Sequence, residues 1–257
     1  MTDDNVRQQP YQGLAPIYDY VMRHVDYGEW ADYLHSLLER WAPDAQCIAD
    51  LACGTGNISL ELRERDYEVT GIDRSADMLR VAHGKAAGDP GVEFVERDLR
   101  DLIGLVGLGP LDAAVCIYDS FNYLLEPDEL DEALAGVLAT LRPGGLFVFD
   151  ICPERNSLRY FRDMRASEQG PGFTYERHSV YEPETRLQSN HFRICFDAGD
   201  ALAESHVQRI YAVAEVTARI EASDFDLLDA LDGFTFNRGT EDSDRIHFVL
   251  QAPRPEG

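Results

Sequence analysis

Residues 47–56 read Cys-Ile-Ala-Asp-Leu-Ala-Cys-Gly-Thr-Gly, an apolar run that ends in an acid and is followed by two closely spaced glycines. An amphipathic segment with Ile58, Leu60 and Leu62 begins directly afterwards. This order predicts a buried strand, a tight turn and a helix. Because glycine has no Cβ and tolerates positive φ, such a turn lets a ligand approach main-chain amides closely.

Apolar and amphipathic segments alternate from this stretch to residue 150. The predicted strands are 47–51, 68–72, 92–96, 113–117 and 146–150, and the predicted helices are 57–65, 75–82 and 127–141. A glycine-rich loop at 104–110 precedes the fourth strand. Strands that are apolar throughout and alternate with helices form a parallel sheet with both faces covered. With two later strands, 225–231 and 245–250, we predict an α/β fold with a doubly wound, Rossmann-like, seven-stranded sheet.

Two segments extend this core. Residues 11–38 carry apolar and aromatic side chains at helical spacing, which predicts an N-terminal helical arm after a disordered leader at 1–10. The arm either only packs on the domain or also closes over a site. After residue 150, β segments at 173–181, 187–196 and 205–212 predict an antiparallel insert that is too long for an ordinary connection. The expected division is 1–45 for leader and arm, 46–150 for the core, 151–212 for an antiparallel β lid, and 213–257 for a return helix and the last two strands.

The 257-residue chain is strongly acidic, with 47 acidic side chains, 23 basic ones and a formal net charge of −24. Charge of this sign repels phosphate backbones, which argues against DNA or RNA as a partner. Lys85 is the single lysine. We interpret the excess of acidic side chains as an adaptation to high salt, where screening relieves their mutual repulsion.

Cysteine usage and hydropathy bear on the location of the protein. The five cysteines are odd in number and have no Cys-x-x-Cys spacing, which is typical of a reducing compartment. The polar N-terminus lacks the apolar segment of a signal peptide, and no apolar run is long enough to span a bilayer. We therefore expect a cytoplasmic protein without a membrane partner.

Acidic residues mark the places where a ligand of this fold would bind. Ligands of open α/β sheets lie outside the carboxyl ends of the strands, and four such ends carry Asp50, Asp73, Asp98 and the segment 119–123. A dinucleotide motif asks for a third glycine where this chain has Ser59, and Asp50 would repel a pyrophosphate. The acid suits a ligand with an ammonium group and no phosphate. S-adenosylmethionine (SAM) has these properties, and an NAD-dependent reductase is a distant alternative.

Four segments in sequence order resemble the motifs of one family, the class I SAM-dependent methyltransferases. They are Asp50–Gly56, Gly71–Ser75, Val95–Leu99 and Leu141–Leu146. The resemblance implies SAM as the cofactor, with Asp50 near its ammonium group, Asp73 at its ribose hydroxyls and Asp98 at its adenine amino group. The donor site that it implies comprises Asp50, Ala52, Cys53, Gly54, Gly56, Asp73, Arg74, Met78, Asp98, Leu99 and Tyr118.

The methyl acceptor is expected over the end of the fourth strand, at residues 118–123. Methyl transfer from a sulfonium is an in-line displacement, so the protein mainly positions the reactants and excludes water. Arm and insert resemble the branch of sugar N,N-dimethyltransferases, in which a lid and an N-terminal tyrosine cover the acceptor. That branch's histidine after the fourth strand has no clear counterpart here. The candidate catalytic residues are Asp119, Tyr18 and Tyr11, and the candidate substrate-binding residues are Asn122, Tyr123, Arg177, His178 and Arg193.

These features predict methyl transfer from SAM to a small-molecule acceptor, with an amine favoured and no metal required. Asp119 either contacts the acceptor or orients the methionine end of the donor. Two alternatives stay open: a metal-assisted O-methyltransferase that uses Asp119 and Asp150, and a non-catalytic SAM-binding module with the insert as a partner surface. The identity of the acceptor and the choice between a monomer and a homodimer do not follow from the sequence.

Overall fold

The computed structural model describes residues 6–7, 10–102 and 109–254. Most of the predicted leader (1–10) and of the glycine-rich loop (104–110) lies outside the described residues. The helices are α1 (Tyr18–Val21), α2 (Tyr27–Trp41), α3 (Asn57–Arg63), α4 (Ala76–Ala86), α5 (Pro127–Thr140), α6 (Glu154–Tyr160) and α7 (Val213–Ala222). The strands are β1 (Val6–Arg7), β2 (Cys47–Leu51), β3 (Glu68–Asp73), β4 (Val92–Glu96), β5 (Leu111–Cys116), β6 (Leu141–Ile151), β7 (Asp163–Gly170), β8 (Phe173–Glu182), β9 (Leu187–Phe196), β10 (Ala201–Arg209), β11 (Asp226–Asp232) and β12 (Ile246–Gln251).

The larger sheet has the strand order β4–β3–β2–β5–β6–β12–β11. Strands β2 to β6 run parallel, and β12 pairs antiparallel with both β6 and β11. Strands β3 and β5 lie on opposite sides of β2, so the strand order reverses at β2. This topological switch point leaves a crevice at the carboxyl end of β2. The predicted doubly wound, seven-stranded α/β sheet is confirmed.

The smaller sheet has the order β1–β10–β9–β8–β7. Its four long strands pair antiparallel, and β1 adds parallel to β10, so the predicted disordered leader contains a short paired strand. The antiparallel insert after the fifth core strand is confirmed, and we call β7–β10 the lid. The sequence did not predict α6 or β7, because 163–170 has no apolar face that marks it as a strand. The predicted segment 205–212 is shifted, since β10 ends at Arg209.

Helix α2 covers one face of the larger sheet. Asp26 caps its start by accepting a hydrogen bond from the Glu29 amide at 3.0 Å. Trp30, Leu34 and Leu37 recur at helical spacing and are buried against apolar side chains of β2, β3, β5, β6 and β12. Burial of each such side chain stabilises the fold by about 1.5–3 kcal/mol relative to exposure. This half of the predicted arm therefore belongs to the core.

The chain before α2, residues 10–25, packs elsewhere, and we call it the arm segment. Over the first part of the predicted helical arm, the structure has only a 3₁₀ turn at Ala15–Ile17 and the single turn of α1. Leu14, Ile17 and Val21 are buried against aromatic and apolar side chains of β8 and β9. The arm segment therefore belongs with the lid, and the two halves of the predicted arm are structurally separate.

Candidate active site

A cavity of about 400 Å³ lies at the carboxyl ends of the parallel strands, between the larger sheet, the arm segment and the lid. The predicted donor residues that line it are Asp50, Ala52, Cys53, Gly54, Asp73, Arg74, Met78, Asp98, Leu99 and Tyr118. The predicted acceptor residues that line it are Tyr11, Tyr18, Asp119, Tyr123 and Arg177. One cavity thus brings the two groups together, and the arm segment both packs on the protein and covers the cavity.

Gly56 and Asn122, two of the predicted site residues, do not line the cavity and have structural contacts beside it. Gly56 precedes α3 with a φ of 76°, and a Cβ there would lie 2.8 Å from the Phe94 ring. Its lack of a side chain therefore lets α3 begin close to β4. The side-chain nitrogen of Asn122 donates to the Arg209 backbone carbonyl at 2.7 Å. Its side-chain oxygen accepts from the Cys152 backbone amide at 3.1 Å. Asn122 thus ties the turn after β5 to the ends of β6 and β10.

His178 and Arg193 lie outside the cavity, in a shallow depression on the outer face of the lid. The His178 Nε2 atom contacts Asp163 Oδ1 at 2.8 Å. Successive side chains of a strand point to opposite faces, so Arg177 and His178 cannot both face the cavity. Arg177 borders this depression too, and it is the one of the three grouped basic residues that also lines the cavity. The alternation of positions 177 and 178 is the signal that could have distinguished them.

Two carboxylates, the buried Asp50 and the partly buried Asp73, lie at the predicted donor end of the cavity. The Ser59 hydroxyl donates to Asp50 at 2.6 Å, and burial raises the pKa of Asp50 to about 7. Ser59, which stands where a dinucleotide motif has glycine, thus orients this acid. Asp73 accepts from the Gly54 amide and from the Ser75 amide, each at 2.8 Å and each on a different oxygen. A second lone pair on each oxygen of Asp73 stays available to a ligand.

Asp98 is engaged by Arg100, a residue that the sequence analysis did not include. Arg100 Nε and Nη2 donate to the two carboxylate oxygens at 2.8 and 2.6 Å, and Nη1 donates to Glu129 at 2.9 Å. Hydrogen bonds from Arg100 lower the pKa of Asp98. Asp98 is therefore an ion-paired acceptor, and any ligand amino group at this place shares it with Arg100. The sequence signal for this ion pair was an arginine two residues after the acid.

A polar cluster joins the arm segment to the glycine turn. Asp19 Oδ1 accepts from the Thr55 hydroxyl at 2.6 Å and from the side-chain nitrogen of Asn57 at 3.0 Å. Lys85 Nζ donates to Asp19 Oδ2 at 2.9 Å and also contacts Asn57. We call these four residues the latch. No local sequence pattern predicts the latch, because its members come from α1, the glycine turn, α3 and α4.

Lys85→Met is expected to loosen the arm segment while the core stays folded. Hydrogen bonds to charged groups in a partly exposed cluster contribute about 1 kcal/mol, so we expect donor affinity to fall about fivefold. Calorimetric titration with S-adenosylhomocysteine measures the affinity. Arg80→Met is the matched control, because Arg80 lies on the same helix with 72% of its side chain exposed. Equal effects of the two substitutions would contradict the prediction.

Asp119 is held by polar partners in the turn after β5. Arg245 Nη2 donates to its Oδ1 at 2.9 Å, and Gln208 Nε2 donates to its Oδ2 at 2.6 Å. Arg245 also pairs with Asp150, whose Oδ2 accepts from the Asp119 amide at 3.0 Å. Tyr118 and Asp119 have φ values of 63° and 53°, a strained conformation that clusters at functional sites. Asp119 therefore fixes the turn between the donor and acceptor ends.

A chain of hydrogen bonds runs from the cavity into the lid, and we call it the tyrosine–histidine chain. The hydroxyls of Tyr11 and Tyr123 are 2.5 Å apart, and the Tyr123 hydroxyl lies 3.3 Å from His206 Nδ1. His206 Nε2 lies 3.0 Å from Glu204 Oε2, and both residues are only 2% exposed. With the Glu204 carboxylate accepting from Nε2, the geometry leaves Nδ1 to accept from the Tyr123 hydroxyl. His206 on β10 was not among the predicted site residues, and the histidine without a clear counterpart in the sequence was one expected after the fourth strand.

Comparisons with known proteins place the chain in a family. A model described as a methyltransferase domain matches residues 48–145. The chain is 32% identical over 245 residues to the putative methyltransferase YqeM of Bacillus subtilis (strain 168), covering 94% of this chain and 96% of that protein. It is 32% identical to the dTDP-3-amino-3,6-dideoxy-alpha-D-glucopyranose N,N-dimethyltransferase of Streptomyces fradiae, over 70% of this chain and 71% of that protein. A SAM-dependent methyltransferase structure from Clostridium acetobutylicum ATCC 824 matches with a TM-score of 0.79 at 24% identity, covering 95% of this chain and 99% of that one.

The fold, the four motifs and these relatives agree, and the chain belongs to the class I SAM-dependent methyltransferase family. The predicted family, the predicted enzyme class and the predicted methyl donor are thereby confirmed. Within the described ranges, no helix is both long enough and apolar enough to cross a membrane.

Proposed function

We propose that this enzyme methylates the nitrogen of a small-molecule amine. The observation that carries the proposal is a cluster of tyrosines at the acceptor end of the cavity. Tyr11 lies between Tyr18 and Tyr123, with ring centroids 6.1 and 5.8 Å away, and Tyr118 lines the same cavity. Aromatic faces attract cations, so they stabilise both the incoming ammonium group and the positive charge that nitrogen acquires with the methyl group.

The donor end of the cavity fits SAM on two observations. Burial raises the pKa of Asp50, and no cation among the described residues pairs with this acid, so the ammonium group of SAM would supply the missing partner. The turn is open to the cavity, since a Cβ on Gly54 would meet nothing nearer than Met78 Cε at 4.0 Å. We assign Asp50 to the ammonium group and Asp73 to the ribose. When bound, SAM supplies a sulfonium methyl group, to which nitrogen forms a bond as the carbon–sulfur bond breaks and its electron pair returns to sulfur.

A protonated amine must lose a proton before its lone pair can attack. We assign this proton to the tyrosine–histidine chain. It passes to the Tyr11 oxygen, Tyr11 gives its own proton to Tyr123, and Tyr123 gives its own to Nδ1 of His206. Burial raises the pKa of both tyrosines, so each hydroxyl transmits a proton and stays neutral. Glu204, 3.0 Å from His206 Nε2, stabilises the imidazolium that forms.

One relative supports an amine as the acceptor. The protein from Streptomyces fradiae is named as an N,N-dimethyltransferase of an amino sugar, so it acts on an exocyclic nitrogen of a small molecule. The shared lid and core are consistent with an amine acceptor here. We carry over the reacting group alone and make no assignment of a sugar.

Turnover of a panel of small primary amines, secondary amines and phenols tests the proposal. S-adenosylhomocysteine release is the measurement, and we expect it with amines. Release of S-adenosylhomocysteine with phenols but with none of the amines would overturn the proposal.

His206→Asn is expected to lower kcat/KM about 100-fold at neutral pH, because it removes the proton acceptor of the chain. The loss is expected to shrink as pH rises, since a growing share of the amine is then already neutral. His191→Asn is the matched control, because His191 lies on the exposed outer face of the same sheet and contacts Ser205 at 2.9 Å. The pH dependence of kcat/KM is the measurement. A loss that is equal at every pH would indicate a structural role instead.

The metal-assisted alternative requires Asp119 and Asp150 as ligands. The guanidinium of Arg245 pairs with both carboxylates and already supplies the positive charge between them. A metal ion at this place would have to displace Arg245, so we favour methyl transfer without one.

A further inference from the structure

Arg177 is a cation that the proposed methyl transfer does not use. It lies on β8 and lines the cavity from the side of the lid. Its Nε donates to the Ser179 hydroxyl at 3.0 Å, and its Nη2 donates to the Asn190 side-chain oxygen at 2.8 Å. Its guanidinium carbon lies 5.2 and 5.4 Å from the ring centroids of Phe161 and Phe192. Every direct contact of Arg177 named here is therefore with a neutral side chain.

Across residues 10–102 and 109–254, no carboxylate forms an ion pair with Arg177. The acid at the acceptor end, Asp119, is engaged by Arg245 and Gln208 instead. Burial lowers the pKa of Arg177, as it does for a cation without a close counter-ion. A buried cation is expensive to keep unless a partner of opposite charge accepts its hydrogen bonds. Arg177 is partly buried, and the described chain supplies no such partner, so an anionic ligand in the cavity would supply the missing charge.

The donors that Arg177 has left suit an oxyanion. A guanidinium has five N–H groups, and the bonds to Ser179 and Asn190 use two of them. The other three include both N–H groups of Nη1. Carboxylates and phosphates bind such a planar fork with two parallel hydrogen bonds. The two neutral partners thus orient the guanidinium without neutralising it.

We propose that Arg177 binds an anionic group of the acceptor itself, so that the substrate is a small amine that also carries a carboxylate or a phosphate. This inference rests on the proposed methylation of an amine. The amine lies at the tyrosine cluster, and its oxyanion pairs with Arg177 between Phe161 and Phe192. These rings exclude water from the ion pair, which strengthens it. The anion also offsets the positive charge that a sulfonium donor brings into the cavity.

Amines that differ in charge test the inference. We would measure kcat/KM for β-alanine, 2-aminoethyl phosphate and two neutral analogues, β-alanine amide and ethanolamine. The proteins are the wild type, Arg177→Met, Arg177→Lys and the control Arg165→Met. Arg165 lies on the adjacent strand with 70% of its side chain exposed, and its ion pair with Asp163 is 3.8 Å long. Melting temperatures show whether each variant is folded, and Arg177→Lys preserves the charge if Arg177→Met does not fold.

We expect at least one anionic amine to have a higher kcat/KM than its neutral analogue. Arg177→Met is expected to reduce the kcat/KM of that amine by about 30-fold, and Arg165→Met is expected to leave it unchanged. Preference between β-alanine and 2-aminoethyl phosphate identifies the oxyanion. Equal turnover of charged and neutral amines, unchanged in Arg177→Met, would overturn the inference and leave amine methylation standing.

A second readout does not depend on the choice of amine. Acetate and inorganic phosphate are titrated into protein saturated with S-adenosylhomocysteine, at constant ionic strength. The anion site is supported if the wild type and Arg165→Met bind acetate or phosphate and Arg177→Met does not. No difference between the wild type and Arg177→Met would overturn it. If no amine is turned over, the amine proposal fails, and this titration still decides whether Arg177 binds anions.

Discussion

Asp50→Asn is expected to abolish measurable donor binding at pH 8 and to raise the melting temperature of the donor-free protein at the same pH. The carboxylate is 2% exposed and pairs with no cation among the described residues. The variant removes the charge that we propose attracts the ammonium group of the donor. The amide keeps an oxygen that accepts from the Ser59 hydroxyl, so the local hydrogen bond at 2.6 Å in the wild type is preserved.

The sign of the stability effect follows from the raised pKa. Burial raises the pKa of Asp50 from 3.8 to about 7, so the folded protein holds this proton more tightly than the unfolded chain. Stability therefore falls as pH rises from about 4 to about 7, and the full penalty is present above that range. Three units of pKa correspond to roughly 4 kcal/mol as an upper limit. Asparagine carries no charge at any pH, so its advantage is large at pH 8 and shrinks toward pH 4.

Thermal melts at pH 4 and pH 8, with calorimetric titration of S-adenosylhomocysteine at pH 8, measure both effects. Asp66→Asn is the matched control, because it is the same chemical change at an exposed position outside the cavity. Retained donor affinity in Asp50→Asn would refute the assignment of Asp50 to the ammonium group.

Arg245→Met is expected to destabilise the protein by about 3–5 kcal/mol, because it leaves two carboxylates without their cation. Asp150 is fully buried, and its Oδ1 has no hydrogen-bond partner among the described residues. Burial already raises the pKa of both Asp119 and Asp150, and Arg245 opposes that shift. The guanidinium also lies 5.1 Å from the ring centroids of Trp30 and Tyr118, so its loss affects the packing of α2.

Urea unfolding measures the change in the free energy of unfolding. The double variant Arg245→Met/Asp150→Asn is expected to recover much of the loss, because one of the stranded charges is gone. The single variant should lose less stability at acidic pH, where the carboxylates are protonated. Arg159→Met is the control, since Arg159 is 55% exposed and pairs with Asp244 at 3.1 Å. Equal destabilisation by Arg245→Met and Arg159→Met would contradict the prediction.

The donor end could be predicted from the sequence because its parts are local. An acid at the end of a strand, a glycine turn and a helix are consecutive, so chain order alone brings Asp50 and Gly54 together. Asp73 follows from the next strand, because parallel strands end at the same edge of the sheet. The partners of these acids were less visible. Arg100 sits two residues from Asp98, and residue type alone does not show that their side chains pair.

The acceptor end could not be predicted in the same way, because it is assembled from distant segments. Tyr11 comes from the arm segment, His206 from the lid, and Arg245 from the residue directly before β12. His206 faces inward because it pairs with Asn190 in the register of β9 and β10. A slip of one residue would turn it to the outer face, and no local pattern fixes that register. Arg177 and His178 were grouped for a different reason, since adjacent residues of one strand face opposite sides whatever the register and this alternation was not applied.

The arm segment touches both ends of the cavity, through Asp19 in the latch and through Tyr11 in the tyrosine–histidine chain. A movement of the arm segment would therefore alter both ends of the cavity at once. We expect the occupancy of one end to be energetically linked to the affinity of the other. In kinetic terms, we expect a compulsory order, in which the methyl donor enters first and its demethylated product leaves last.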